Sequence, residues 1–135
     1  MSSAIIFFSF MLVTSLTSVL GISINGMAIN RIFYEMPIGV VNSSIALYQK
    51  DGEFNPYFNR TVLENNIKTY LTKSLKGYVP SYEIDFTYYR KTDNNEYVID
   101  GSVYRRQVDV YFACTYSSFV RFEGRRGFEI ERTDL

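Results

Sequence analysis

Residues 4–22 read AIIFFSFMLVTSLTSVLGI, nineteen positions without a charge, and this stretch decides the architecture. The first charged side chain in the chain is Arg31. At 1.5 Å rise per residue, roughly 20 apolar residues cross a hydrocarbon core about 30 Å thick. The hydroxyl residues inside the run, Thr14, Ser15 and Thr17 among them, return their protons to the carbonyl four residues back and so are tolerated in lipid. A cleaved signal peptide needs a basic start, a short apolar centre and a small-residue cleavage site. No Lys or Arg precedes this run, the run is too long, and Gly21-Ile22-Ser23 makes a poor site. The expectation is a retained, single-pass anchor. Phe8, Leu12, Ser15, Leu16, Val19 and Gly21 are the residues expected to meet lipid or like helices.

The pattern continues past the apolar run. Ile24, Met27, Ala28, Ile32 and Phe33 extend a helical stripe, with Asn25, Asn30 and Arg31 between them. Pro37 removes a backbone donor and Gly39 loosens the chain, which predicts a break there. Beyond it, Val40, Val41, Ile45, Ala46 and Tyr48 predict a second helical stretch ending at Asp51-Gly52. The division expected is an anchor helix and stalk over 1–36, a kinked helical connector with turns over 37–55, and a folded domain over 56–135.

Within that domain, Thr61 and Glu64 form a capping box, and Asn55-Pro56 is a competing helix start. Leu63, Ile67, Tyr70, Leu71 and Leu75 fall on one apolar stripe, and Gly77 can terminate the helix. After Pro80 the period becomes two. Tyr82, Ile84, Phe86 and Tyr88 alternate with polar partners in a strand over 82–89. A longer strand over 103–116 points Val108, Val110, Phe112 and Cys114 inward and Asp109 and Tyr111 outward. A last pair, 119–123 and 127–132, is expected to turn at Glu123-Gly124-Arg125-Arg126. The fold class is α+β: a long transmembrane helix extended as a kinked stalk, and one further helix on a small three- or four-stranded antiparallel sheet.

Composition narrows the chemistry. Lys+Arg and Asp+Glu are both 14, so no charge excess favours nucleic acid. The basic doublets Arg105-Arg106 and Arg125-Arg126 read as exposed strand or turn positions. Without histidine there is no Ser-His or Cys-His catalysis and no imidazole metal ligand. The single cysteine, Cys114, permits no internal disulfide and reads as a small buried hydrophobe. Glu83, Asp85 and Asp109 read as a solvated sheet face, and Asp93-Asn94-Asn95-Glu96 lacks the spacing of a calcium loop. No cofactor, metal or small-molecule substrate is implied. Twelve tyrosines favour contact surface over chemistry, with Tyr89, Tyr104, Tyr111, Arg105 and Arg106 the partner-facing candidates.

The order of elements, with Ala46-Leu47-Tyr48-Gln49-Lys50-Asp51-Gly52 and Tyr70-Leu71-Thr72-Lys73-Ser74-Leu75, resembles the TadE-like minor pseudopilins of tight-adherence pili and related secretion or conjugation systems. The resemblance implies a non-enzymatic subunit, partnered by the bilayer and by other pilin-like or membrane-complex subunits. It also implies an extracytoplasmic C-terminal domain, although the lone charge near the helix, Arg31, leans towards a cytoplasmic one by the positive-inside rule. The alternative from the residues is a membrane-tethered sensor or ligand-binding module.

Overall fold

The computed structural model of the protein describes residues 2–117 and 119–130. Helix α1 (Ser2–Tyr34) has 33 residues, about 50 Å at 1.5 Å per residue. Its first part stands clear of everything else: described residues up to Gly21 are exposed. From Ile22 onward one side turns inward, and Ile29 and Phe33, with Met36 just past the helix, are buried. Of the continuation expected from sequence, Ala28, Ile32 and Phe33 turn towards the domain, whereas Ile24 and Met27 stay exposed. This half of the helix carries apolar residues on two sides, so simple periodicity merges two faces into one stripe.

The predicted break is present. The chain leaves α1 at Tyr34 and passes Pro37 into α2 (Ile38–Asn42), a helix of five residues. The connector is helical only that far. Ile45–Lys50, expected to be helical, is strand β1, and it pairs antiparallel with β2 (Glu53–Phe58). Their link is the two-residue turn Asp51-Gly52, with φ of 54° and 80°. Positive φ at both positions is the twist-matched hairpin turn, for which Asp-Gly is a preferred pair. Pro56 belongs to β2, opposite Leu47, and starts no helix. In a two-stranded ribbon both strands are edges, the place where a strand proline is tolerated.

Helix α3 (Arg60–Ser74) starts one residue before the expected capping box. Its cap is Asn59, whose side chain accepts from the Val62 amide at 3.3 Å. Glu64 is therefore free of the capping role and accepts instead from Arg60 at 3.2 Å and Tyr88 at 3.4 Å. Leu63, Ile67, Leu71 and Leu75 are all buried, as the stripe predicts. Gly77, at φ 94°, supplies the left-handed residue after the helix.

The main sheet has four antiparallel strands, β3 (Glu83–Lys91), β4 (Tyr97–Ile99), β5 (Gln107–Tyr116) and β6 (Val120–Glu129), in the order β4-β3-β5-β6. The architecture is thus α+β with two sheets, the second being the β1–β2 ribbon, where a single sheet is expected. Val108, Val110, Phe112 and Cys114 are buried as predicted. The final pair is not. β6 runs unbroken past Gly124 in register with β5, and the chain reverses between Tyr116 and Val120. The part of the expected last strand beyond Ile130 lies outside the described residues.

The reason β6 needs Gly124 is steric. A Cβ there would lie 2.8 Å from the Tyr34 hydroxyl and 3.0 Å from the Phe33 ring. Glycine in a strand commonly marks such a close approach. Phe33 stacks on Phe112 at 5.1 Å between centroids, and burying a ring of this size removes enough apolar surface to contribute about 2–3 kcal/mol. Arg126, on the same inner side of β6, donates to the Met36 carbonyl at 2.9 Å and the Phe33 carbonyl at 3.4 Å. A cation at the open carbonyls of a helix end offsets the dipole there. The upper half of α1 and α3 together cover one face of the sheet.

Candidate functional site

Two regions hold most of the residues singled out from sequence. The first is the free half of α1. Phe8, Leu12, Ser15, Leu16 and Val19 are exposed and, at 3.6 residues per turn, share one side of the helix. Gly21 is also exposed but falls on the opposite side. The same side continues upward through Ile22, Gly26, Ile29 and Phe33 onto the sheet. Thr14 and Thr17 bond the Phe10 and Val13 carbonyls at 2.9 and 2.8 Å, so neither hydroxyl presents an unmet donor to its surroundings. Among the described residues this is the one helix long and apolar enough to cross a membrane.

The second region is the end of the sheet far from the free helix. Tyr89, Tyr104 and Arg106 come together around an open cavity of about 550 Å³, with Asp100, Gln107 and Glu129 also on its wall. Arg106 is fixed by donating Nη2 to the Ile130 carbonyl at 3.0 Å, while its buried Nε meets no partner among the described residues. Tyr104 stacks on Tyr48 at 3.8 Å and meets Tyr57 edge-on at 5.1 Å. It therefore ties the β1–β2 ribbon to the sheet, a role unavailable to sequence reading without the ribbon. Arg105 lies apart from the cavity, over the Tyr88 ring at 5.0 Å, and its carbonyl accepts from the Phe58 amide at 2.7 Å.

Tyr111 is on neither region. It lies on the outer face of the sheet beneath Arg125, whose guanidinium sits 5.0 Å from the ring centroid. Arg125 also pairs with Asp109 at 2.9 Å. On the same face Arg121 bonds Glu123 at 2.7 Å and reaches across the small Ala113 to Glu83 at 3.4 Å. That bridge accounts for the complete burial of Ala113 and holds the Glu123 carboxyl below its ordinary range. The acidic residues Glu83 and Asp109 are thus paired with arginines across strands.

The titratable interior favours neutral forms. Burial, followed by the nearby Glu64 carboxylate, pushes the Tyr88 phenol up to about 12. Burial likewise raises the Cys114 thiol. A protonated phenol and a protonated thiol are poor bases and nucleophiles at neutral pH. Among the described residues no group of three or more Cys, Asp or Glu is arranged to hold a metal ion. Compared with protein-family models, curated proteins and solved structures, the chain matches none of them.

Proposed function

We propose that this chain is a membrane-anchored, non-enzymatic subunit of a pilin-like assembly of the TadE type, with its α+β domain on the extracytoplasmic side. The observation that carries the reading is the division of labour along one unbroken helix. The lower half of α1 exposes an apolar surface on every side, and the upper half supplies Ile29 and Phe33 to the core of the domain. A flexible tether would leave anchor and domain independent. A shared helix instead fixes the domain's height and direction relative to its neighbours, which an ordered assembly requires. The fixed features of the domain are ion-paired strands and stacked tyrosines, suited to contact surfaces.

The test is crosslinking in native membranes with Ser15→Cys in a Cys114→Ala background. Disulfide capture of a second copy, or capture of a pilin-type subunit by a photoreactive maleimide carried on the introduced thiol and identified by mass spectrometry, is expected. A chain that stays monomeric under oxidation and captures no pilin-type subunit on illumination, at Ser15 and at a second position such as Leu12→Cys, overturns the assembly reading.

A second reading, a tethered ligand-binding module, is favoured by the cavity at Tyr89, Tyr104 and Arg106. The two separate on the Arg106→Met variant. An assembly subunit keeps its crosslinking partner, whereas a sensor keeps its anchor and loses its response.

A further inference from the structure

The contacts between α1 and the sheet set a height scale along the helix. Gly26 lies against Tyr116, where an added Cβ would sit 2.5 Å from the hydroxyl. Phe33 lies against Phe112 and Gly124, and the carbonyls of Phe33 and Met36 lie against Arg126. As the helix number rises, β6 ascends and β5 descends. The two long strands therefore run along the helix, and the reversal between Tyr116 and Val120 is the lowest point of the sheet. The second low point is the connection after α3. Tyr82, at the foot of β3, bonds Thr72 at 2.8 Å and the Lys68 carbonyl at 3.0 Å, so residues 73–78 extend below that level.

The exposed apolar residues of α1 reach the same height. Ile24 and Met27 are 63% and 64% exposed on the open side of the helix, and the next charge is Arg31. Gly26 is four residues above Ile22, the last residue of the uncharged apolar run. That is about 6 Å at 1.5 Å per residue, comparable to the roughly 5–8 Å headgroup layer on each side of a bilayer. The reversal continues downward from Tyr116 and carries Phe119, 77% exposed and the most exposed large apolar side chain of the described residues. The other low point, the connection after α3, presents exposed Lys73 and Lys76 and the 42% exposed Tyr78. Aromatic side chains with lysines nearby are the composition found at the membrane–water boundary.

We infer that the foot of the domain is a second membrane contact: Phe119 enters the headgroup layer on the side of α1 that faces the sheet, with Tyr78 and the two lysines of the other low point on the bilayer surface. This rests on the anchor reading of α1 and adds to it. The shared helix fixes the domain relative to α1, and helix and foot together fix the tilt of that unit against the bilayer. The anchor sets which membrane, and Phe119 sets the angle.

The chain contains no tryptophan, so one introduced indole reports alone. Full-length Phe119→Trp, Leu12→Trp and Ile99→Trp are reconstituted separately into phosphatidylcholine–phosphatidylglycerol vesicles containing lipids brominated at shallow or deep acyl positions. Ile99, on β4 at the far end of the sheet, is the aqueous reference. Expected are loss of Leu12→Trp emission with deep bromines, blue-shifted Phe119→Trp emission lost with shallow bromines, and Ile99→Trp emission untouched. If Phe119→Trp matches Ile99→Trp while Leu12→Trp is quenched, the anchor stands and the foot contact is refuted. If Leu12→Trp also escapes quenching, the anchor reading falls and this inference with it.

Discussion

Gly124 shows how much one missing side chain decides. It sits in the middle of β6 where Phe33, itself 1% exposed, presses against the backbone. A methyl group there must displace a ring held between strand and helix, because Phe112 blocks its other side. Gly124→Ala is expected to cost about 1–3 kcal/mol as an overpacking substitution, read as a lower denaturation midpoint with an unchanged slope. A neutral result would mean that α1 does not press on the sheet at this point. Tyr88 offers a test of a different kind. Its phenol is pushed from about 10 up to about 12 by burial and by Glu64, so folding favours the protonated form. That contribution is complete below about pH 10 and disappears as the pH rises through about 12. Tyr88→Phe should remove this share of the alkaline loss of stability, and urea melts at pH 8 and pH 11 compare the two chains. Equal losses in both would contradict the burial of the phenol.

At the scale of elements, what the sequence made legible followed from periodicity, and what it hid followed from glycine and turn chemistry. The stripe from Leu63 to Leu75 and the alternation from Val108 to Cys114 each have one buried face, and both appear where the pattern places them. Asp51-Gly52 is a hairpin signal in its own right, but Ile45, Ala46 and Tyr48 also fit a helical spacing, and the short ribbon was lost to that ambiguity. Glu123-Gly124-Arg125-Arg126 has turn composition, yet its glycine answers to a helix about 90 residues away in sequence, which no local pattern reports. For the same reason Arg126 reads from sequence as a solvated position, although it closes the end of α1. The two halves of that helix should respond differently to truncation. Phe33→Ala is expected to destabilise the domain by about 3–5 kcal/mol, whereas Leu12→Ala, 62% exposed and away from the domain, should leave its melting in detergent unchanged. Comparable losses from both would dissolve the distinction between a free and a docked half.

For the whole molecule, the residues that sequence suggests as partner-facing are spread over several surfaces. Tyr89, Tyr104 and Arg106 share a cavity, Arg105 covers Tyr88, and Tyr111 belongs to the charged outer face. Sequence can supply tyrosines and arginines, but only the strand register sorts them among faces. The helix was more legible because its distinguishing property is bulk composition over about 20 residues, which does not depend on register. The proposal therefore stands on α1 as one continuous helix whose upper half lies in the protein core and whose exposed, apolar lower half is proposed to lie in lipid. A nitroxide scan tests this most directly. Single cysteines at Ser9, Leu12, Ser15, Val19, Ile24 and Arg31, in a Cys114→Ala background, are spin-labelled in the full chain in vesicles. Relaxation by oxygen and by a water-soluble nickel chelate then gives the depth of each label. The account predicts deep burial in lipid centred near Leu12 that falls to the aqueous value by Arg31. Uniform access of the nickel chelate from Ser9 to Arg31 would contradict it.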